Sequence, residues 1–371
     1  MGLKFGISHA IALGARVIAF YLPQYYPIPE NDEWWGKGFT EWTNVAKARS
    51  LFKGHYQPAI PADLGFYDLR VPETRTEQAD LARRHGIEGF CYYHYWFGGK
   101  RLLQRPFQEV LDSGEPDFPF CICWANQSWT GIWHGMKDRI LVEQTYPPGD
   151  DEAHFRSLLK AFADRRYITV HGRPVFVIYR PLELPHPRRF TERWREMAQS
   201  AGLSGLYLIG INEGPTWVPE ASGFDASITP RLPNPDKWKT RWISRRQPLQ
   251  RLRRWYRVKN GFPAIYDYRD ECLSMVQPAP PGVENFPCLI PNWDNTPRSG
   301  INGLVLHGST PELFRKQVAK ALELTKGKPT DKRILFIKAW NEWAEGNYME
   351  PDLRFGRAYL EVLAEELRKD G

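Results

Sequence analysis

Short apolar runs that end in polar or aromatic residues recur along this chain, and this repeat constrains its fold more than any other feature. Eight runs are present, at residues 16–21, 89–92, 118–123, 175–179, 206–211, 224–228, 286–290 and 333–337. Helical patterns lie between most of them, at about residues 72–84, 102–111, 151–165, 190–201, 311–325 and 357–368. Apolar strands that alternate with helices are typical of a parallel sheet covered by helices. Eight such units predict an α/β fold, the closed (β/α)8 or TIM barrel.

An open, doubly wound sheet is the alternative to a barrel. It is disfavoured because no glycine-rich dinucleotide or phosphate-binding fingerprint follows any of the runs. With 371 residues, the chain is long enough for a barrel of about 250 residues with long loops. We therefore expect residues 1–371 to form one catalytic domain, with the barrel over about 16–368 and long loops after the strands.

The residues at the carboxyl ends of the predicted strands are mostly polar or aromatic. In a barrel these ends meet at one face, where active sites lie. The side chains expected to line this bowl are Tyr21, Gln24, His94, Trp96, Trp124, Asn126, Tyr179, Asn212, Asn292, Trp293, Asn341 and Glu342. Aromatic residues make up 14% of the chain, including 15 Trp, and rings with an apolar face and a polar edge suit sugars. A pocket for a polar ligand is predicted, although a large aromatic core would explain part of this composition.

Two carboxylates follow the last apolar run, in the segment Trp340-Asn341-Glu342-Trp343-Ala344-Glu345-Gly346. On a continuing strand Glu342 and Glu345 would point to opposite faces, whereas a helical turn, which Gly346 permits, would bring them together. Glycoside cleavage needs one protonated and one ionised carboxyl. Aromatic neighbours would raise the pKa of one of them by desolvation. The alternative is that Glu345 only forms an ion pair with Lys or Arg.

Several long motifs resemble the WbsX-like proteins, also described as glycoside hydrolase family 99-like, which are found near bacterial O-antigen and capsule genes. The motifs are Tyr21-Leu22-Pro23-Gln24, residues 30–44, Gly54-His55-Tyr56-Gln57-Pro58, Tyr92-Tyr93-His94-Tyr95-Trp96 and the segment from Trp340 to Gly346. The resemblance covers about residues 16–365 and implies the (β/α)8 barrel of the endo-α-mannosidases. Within these motifs, Glu41, Trp42, His55, Tyr93 and Trp340 join the residues expected to bind substrate.

The resemblance also implies roles for the two carboxylates. The mannosidases close on the motif Asn-Glu-Trp-His-Glu-Gly. Matched position by position, Glu342 is the base that acts on the 2-hydroxyl of the substrate to give a 1,2-anhydro sugar, and Glu345 is the general acid and base. Ala344 stands where the mannosidases have His. This departure concerns the substrate and its subsites more than the carboxylate chemistry.

Three functions follow as hypotheses. The first is a retaining glycoside hydrolase acting on a bacterial surface polysaccharide, such as an O-antigen or capsule that contains mannose or rhamnose, without a cofactor or metal. The second is a glycosyltransferase of O-antigen assembly, the label that many members of the family carry, although no Asp-x-Asp motif is evident. The third is a glycan-binding protein without catalysis. In each case the expected partner is an oligosaccharide or polysaccharide.

Residues 231–260 hold eleven Lys or Arg against one Asp, in a chain whose net charge is +7. One interpretation is a solvated helical insertion in a loop after the sixth strand. The other is a contact with an anionic glycan, a membrane surface or a protein. Nucleic acid is not expected as a partner because no known binding module is present.

The five cysteines and the amino-terminal sequence bear on the cellular compartment. Most of the cysteines lie in apolar runs, so we interpret them as reduced core residues, which favours a reducing compartment. No apolar run reaches the length of about 18 residues that a membrane span needs. Residues 1–15 contain a single Lys and only a weak apolar patch, so a signal peptide is not expected. The sequence therefore favours a cytoplasmic protein.

Overall fold

Eight parallel strands close into a barrel in the computed structural model, which describes residues 14–131, 136–211, 214, 217–233 and 259–371. The strands are β1 (Arg16–Tyr21), β2 (Gly89–Phe97), β3 (Phe120–Trp124), β4 (Arg173–Ile178), β5 (Tyr207–Ile211), β6 (Ala226–Thr229), β7 (Asn285–Leu289) and β8 (Ile334–Ile337). Each strand pairs in parallel with its neighbours in the sequence, and β1 also pairs with β8. The predicted (β/α)8 barrel is confirmed. Asn212 and most of the predicted basic segment lie outside the described residues.

Six helices of nine or more residues accompany the strands in the described part of the chain. They are α1 (Pro72–Arg84), α2 (Arg105–Ser113), α3 (Asp150–Phe162), α4 (Pro187–Ser200), α5 (Pro311–Glu323) and α6 (Ala358–Asp370). Four of the six carry proline in the first turn, where the missing N–H would have had no helical partner. All six lie where the helical patterns predicted them, with ends shifted by up to three residues.

Shorter elements lie in the loops, most of them at the carboxyl ends of the strands. The loop after β1 carries the helices Pro29–Trp35 and Glu41–Lys47. The remaining short helices are Pro181–Glu183, Pro219–Ser222, Tyr268–Glu271, Thr296–Ser299, Gly300–Asn302, Thr330–Lys332 and Trp343–Glu345. The remaining short strands are Lys100–Leu102, Trp129–Gly131, Met136–Val142, Thr169–Val170, Ala264–Asp267, Leu304–His307, Asn341–Glu342 and Asn347–Tyr348. The last two pair as a hairpin directly after β8.

Side chains alternate between the inside and the outside of the barrel. Phe20 points inward and packs against Tyr93 and Phe336, with ring centroids 5.5 Å apart in both pairs. The next residue, Tyr21, points outward and donates a 2.7 Å hydrogen bond to Gln78 on α1. This period of two follows from the pleat of each strand. At each carboxyl end, therefore, only every second residue can face the bowl.

The cysteines belong to the core. Cys91, Cys121, Cys123, Cys272 and Cys288 are all buried free thiols, which confirms their interpretation as core residues. Among the helices of the described residues, none has both the length and the apolar character needed to cross a membrane.

Candidate active site

Glu342 and Glu345 lie on one tight turn at the mouth of the barrel. The short helix Trp343–Glu345 follows Glu342, and Gly346 ends it in a left-handed conformation at φ 53°. A Cβ atom at Gly346 would lie 2.7 Å from the backbone nitrogen of Asp294, so only glycine fits there. Because the chain turns, the two carboxyl groups are in hydrogen-bond contact with each other. The sequence predicted this turn as the condition for a catalytic pair.

Lys338, the first residue after β8, places its own positively charged Nζ beside both carboxyls. Its Nζ lies 3.0 and 3.1 Å from the two carboxylate oxygens of Glu342 and 3.7 Å from Glu345 Oε2. The same nitrogen donates to the Tyr93 hydroxyl at 3.3 Å and lies 5.4 Å from the ring centre of Trp293. Sequence analysis missed Lys338, although its place at the carboxyl end of β8 was a signal that could have identified it.

Arg298 supplies a second cation from a different loop. Its Nη1 lies 2.6 Å from Glu345 Oε1, and its Nη2 lies 2.5 Å from Glu41 Oε1. Arg298 belongs to the short helix after β7, whereas Glu41 belongs to a helix in the loop after β1. Loops that follow three strands therefore meet over the carboxyl pair. No motif in the sequence pointed to Arg298.

The two carboxyls have opposite ionisation preferences. Burial raises the pKa of Glu342 well above its usual range, and the negative charge of Glu345 adds to this effect although Lys338 opposes it. Burial also opposes ionisation of Glu345, but the positive charges of Arg298 and Lys338 outweigh it and lower its pKa. The same carboxylates raise the pKa values of Lys338 and Arg298 against the effect of burial, so both remain cations. At neutral pH the pair therefore favours one proton, on Glu342, beside an ionised Glu345.

Such a pair can exchange a proton with a bound molecule, because one group can donate while the other accepts. The carboxyls are nearly covered, since Glu342 is 3% exposed and Glu345 is 9% exposed. Low solvation strengthens charge interactions at this site. Among the described residues, no group of three or more His, Cys, Asp or Glu side chains is arranged to hold a metal ion.

Part of the predicted site is assembled around this pair. The predicted residues that the structure brings together here are Glu41, Tyr93, Tyr179, Trp293, Glu342 and Glu345. Tyr179 is half-buried, and Lys338, Glu345 and Glu342 all influence its pKa, which burial raises. Gln24 is also half-buried at the mouth, where its carbonyl accepts a 3.0 Å hydrogen bond from the Glu41 amide.

Four predicted residues point away from the bowl, so their predicted place in it is wrong. They are Tyr21, His94, Trp96 and Trp124. His94 Nε2 lies 2.9 Å from the Nε2 of His154 on α3, and Trp96 donates a 2.9 Å hydrogen bond to Asp150 at the start of the same helix. The strand alternation explains this outcome, because Tyr93 and its second neighbour Tyr95 take the inward positions of β2.

Five further predicted residues make structural contacts near the site. They are Trp42, Asn126, Asn292, Trp340 and Asn341. Asn341 is fully buried and bonds both the amide and the carbonyl of Leu22, at 2.7 and 3.0 Å. Asn292 accepts a 2.9 Å bond from the Tyr348 amide and so ties the loop after β7 to the hairpin after β8. These amides fix the backbone that carries the acids.

His55 lies beside the site rather than in it. Its Nε2 lies 2.6 Å from Asp294 Oδ2, and its Nδ1 accepts a 3.0 Å bond from the Leu51 amide. Both ring nitrogens are therefore engaged within the protein. Asn212, the remaining predicted residue, lies outside the described residues.

A third buried carboxyl, Glu350, lies behind the turn and was missed by sequence analysis. It accepts hydrogen bonds from Trp343 Nε1 at 2.6 Å, Gln78 Nε2 at 2.6 Å and the Tyr67 hydroxyl at 2.9 Å. Burial raises the pKa of Glu350 to about 7 in spite of these donors. Glu350 therefore fixes the indole that stands between the two acids of the turn.

Solved structures with a similar fold include glycoside hydrolases. A glycoside hydrolase-like protein matches with a TM-score of 0.57 and 16% identity, over 99% of this chain and 97% of that one. The endo-alpha-mannosidase of glycoside hydrolase family 99 from Bacteroides thetaiotaomicron, in complex with bis-tris propane, matches with a TM-score of 0.56 and 15% identity, over 96% of this chain and 97% of that one. At these identities the likeness supports the barrel fold alone.

Closer relatives are found by sequence. The uncharacterized protein WxcX from two strains of Xanthomonas campestris pv. campestris is 39% identical over 362 residues, which is 96% of this chain. The chain spans about half the length of these relatives, 50% in each case. A family model described as glycosyltransferase WbsX matches residues 17–363. The chain therefore belongs to the WbsX family.

Proposed function

We propose that the protein is a retaining glycoside hydrolase that cleaves a bacterial surface polysaccharide, such as an O-antigen or capsule containing mannose or rhamnose. The observation that carries the proposal is the contact between Glu342 and Glu345, two buried carboxyls with opposite ionisation preferences. An inverting enzyme holds its carboxyls about 6.5–9.5 Å apart to admit a water between substrate and base. Retaining enzymes hold theirs closer, at about 5–5.5 Å, and a pair in contact is nearer to this arrangement than to the inverting one.

In the proposed reaction, the Glu342 carboxylate removes the proton of the sugar 2-hydroxyl. The freed oxygen attacks C1, the glycosidic C1–O bond breaks, and Glu345 gives its proton to the leaving oxygen. A 1,2-anhydro sugar results. Water then attacks C1 and loses a proton to Glu345, while the 2-oxygen regains a proton from Glu342. Two displacements at C1 retain its configuration.

These roles require the proton on Glu345, whereas the free site favours it on Glu342. Contact between the carboxyls lets one proton move between them without passing through solvent. Arg298 is the main cation that keeps Glu345 ionised, at 2.6 Å. We infer that substrate separates Arg298 from Glu345, which raises the Glu345 pKa and draws the proton there. Lys338, 3.0 Å from Glu342, then stabilises the carboxylate that remains.

The surface polysaccharide is proposed from family membership. The chain matches the WbsX model over residues 17–363. The proteins that its motifs resemble are found near O-antigen and capsule genes. A glycan substrate also suits the rings of Tyr93, Tyr179 and Trp293, which lie around the carboxyls. We further propose that the chain acts as one catalytic domain.

A glycosyltransferase is the second candidate, because the family description uses that word. The two functions differ in what they bind. A hydrolase is stabilised against heat by oligosaccharides of its substrate, whereas a transferase is stabilised by a nucleotide sugar or a lipid-linked donor. A thermal shift with nucleotide sugars, and none with oligosaccharides, would favour the transferase.

The proposal is tested with Glu342→Gln and Glu345→Gln on surface polysaccharide from the source organism. Each variant should lose about 100-fold or more of the rate at which reducing ends appear, because each removes an acid–base group. Glu361→Gln, an exposed residue of α6, is the matched control and should keep full activity. NMR of the first product should show the anomeric configuration of the substrate. Full activity in either site variant would reject the assignment, and glycan binding without new reducing ends would indicate a binding protein.

A further inference from the structure

A cavity of about 70 Å³ lies directly beside the catalytic turn, and we call it the rim pocket. Its walls come from the loops after β1, β7 and β8 and from the strand Leu304–His307. It shares Trp293 and Gly346 with the candidate active site. A group bound in the rim pocket would therefore lie next to the carboxyl pair.

One carboxylate in the wall of the rim pocket, Asp294, is fully engaged by protein donors. Its Oδ2 lies 2.6 Å from His55 Nε2 and 2.7 Å from Gln57 Nε2. Its Oδ1 accepts from the amide and the hydroxyl of Thr296, at 3.0 and 2.6 Å. Asp294 thus has no free oxygen to offer a ligand.

The second carboxylate in the wall, Asp352, is engaged in the same way. Its Oδ2 accepts a 2.8 Å bond from the Tyr348 hydroxyl. Its Oδ1 accepts from the amides of Arg354 and Phe355, at 3.0 and 2.7 Å. The acidic side chains of the pocket are therefore committed to the protein.

Two side chains of the rim pocket, Arg354 and Trp293, offer donors that no carboxylate of the described residues engages. The Arg354 guanidinium lies 5.0 Å from the ring centre of Tyr56 and 4.8 Å from that of Phe355, which restrict its position. Within the described ranges no carboxylate pairs with it. Trp293 is 8% exposed, and its Nε1 has no hydrogen-bond partner among those residues. An indole N–H and a guanidinium can only donate, so a complementary ligand must bring acceptors.

We propose that the rim pocket binds the carboxylate of an acidic sugar residue in the glycan, with Arg354 as its counterion; this rests on the proposed function. A guanidinium binds a carboxylate through two parallel hydrogen bonds, a geometry that a neutral hydroxyl cannot match. The cavity of about 70 Å³ has room for such a substituent. The substrate is accordingly an anionic polysaccharide.

The test measures binding of free glucuronate by ligand-observed NMR, beside its uncharged methyl ester, glucose and inorganic phosphate. The free monosaccharide has no glycosidic bond, so the unaltered protein can be used. Glucuronate should bind about tenfold more tightly than the ester, and Arg354→Gln should abolish this preference. Arg354 is exposed, so the variant should fold normally, and Arg368→Gln removes an exposed charge from α6 as the matched control.

Equal affinity for glucuronate and its ester, or an unchanged preference in Arg354→Gln, would overturn the proposal. Phosphate binding as tightly as glucuronate would overturn it too, because the pocket would then be a general anion site. Binding is measured without turnover, so its outcome is separate from that of the proposed function. A glucuronate preference without any cleavage would refute the hydrolase alone, and cleavage of glycans with no such preference would refute the pocket alone.

Discussion

Replacing Arg298 with Gln would remove the cation shared by two buried carboxylates. Glu41 is 1% exposed and Glu345 is 9% exposed, and Arg298 lies 2.5 and 2.6 Å from them. Removing one partner of a buried ion pair typically costs about 3–5 kcal/mol, because the remaining charge is left in a poorly solvated site. We expect Arg298→Gln to lower the free energy of unfolding by about this amount at neutral pH.

The loss of unfolding free energy in Arg298→Gln should grow as pH rises. Without Arg298, burial raises the folded-state pKa values of Glu41 and Glu345 above about 4.3, the value in an unfolded chain. The folded variant then holds more protons than the unfolded chain, so its stability relative to the parent falls as pH rises. Each extra proton contributes a slope of about 1.4 kcal/mol per pH unit. The difference should be smallest near about pH 5 and largest near about pH 8.

Urea unfolding at several pH values measures this difference directly. Arg315→Gln is the matched control, because Arg315 pairs with three carboxylates, at 2.6, 3.0 and 3.3 Å, from a half-exposed position on α5. Its loss should cost less than about 1 kcal/mol. Adding Glu41→Gln to Arg298→Gln should restore part of the stability, since one of the stranded charges is gone. A cost for Arg298→Gln that matches the control, or that does not change with pH, would refute this account of the site.

Two further predictions concern buried groups outside the pair Glu342 and Glu345. Burial lowers the pKa of His94 to about 3 and lowers that of its partner His154 as well, so both stay neutral in the folded protein. The stability that these neutral histidines contribute is complete above the unfolded pKa of about 6.5 and is lost as pH falls toward 3. In His154→Phe, the urea midpoint of unfolding should therefore fall less between about pH 6.5 and 3 than it does in the parent. An unchanged dependence of the midpoint on pH would contradict the burial argument. Glu350→Gln leaves one of three donors, Gln78, Tyr67 or Trp343, facing an amide nitrogen, and should cost about 1–3 kcal/mol in urea unfolding. A cost near zero would show that the Glu350 network does not stabilise the turn.

Much of the fold could be predicted from the sequence, because each barrel strand is a continuous apolar run and each long helix has its own pattern. The site was predicted only in part. The pairing of Glu342 with Glu345 was predicted because both lie in one local motif whose turn depends on Gly346. His94 and Trp96 were misplaced because every residue at a strand end was expected to face the bowl, although the pleat turns alternate residues outward.

Other parts of the site depend on contacts between distant segments. Arg298 lies in a short helix with no recognisable motif, and its role appears only when that helix packs beside Glu41, 257 positions earlier in the chain. Glu350 looks like an ordinary charged residue until Gln78 and Tyr67 are seen to surround it. Local patterns give no information about such long-range packing.

The bridge from Arg298 to Glu41 and Glu345 has a consequence for heat tolerance. It joins the loops after β1, β7 and β8, and loops generally open more readily than the strands of the barrel beneath them. Once those loops separate, Glu345 loses the cation that keeps it ionised, while every strand is still in place. On heating, we therefore expect the arrangement of Arg298, Glu41 and Glu345 to be lost at a lower temperature than the one at which the barrel strands unfold.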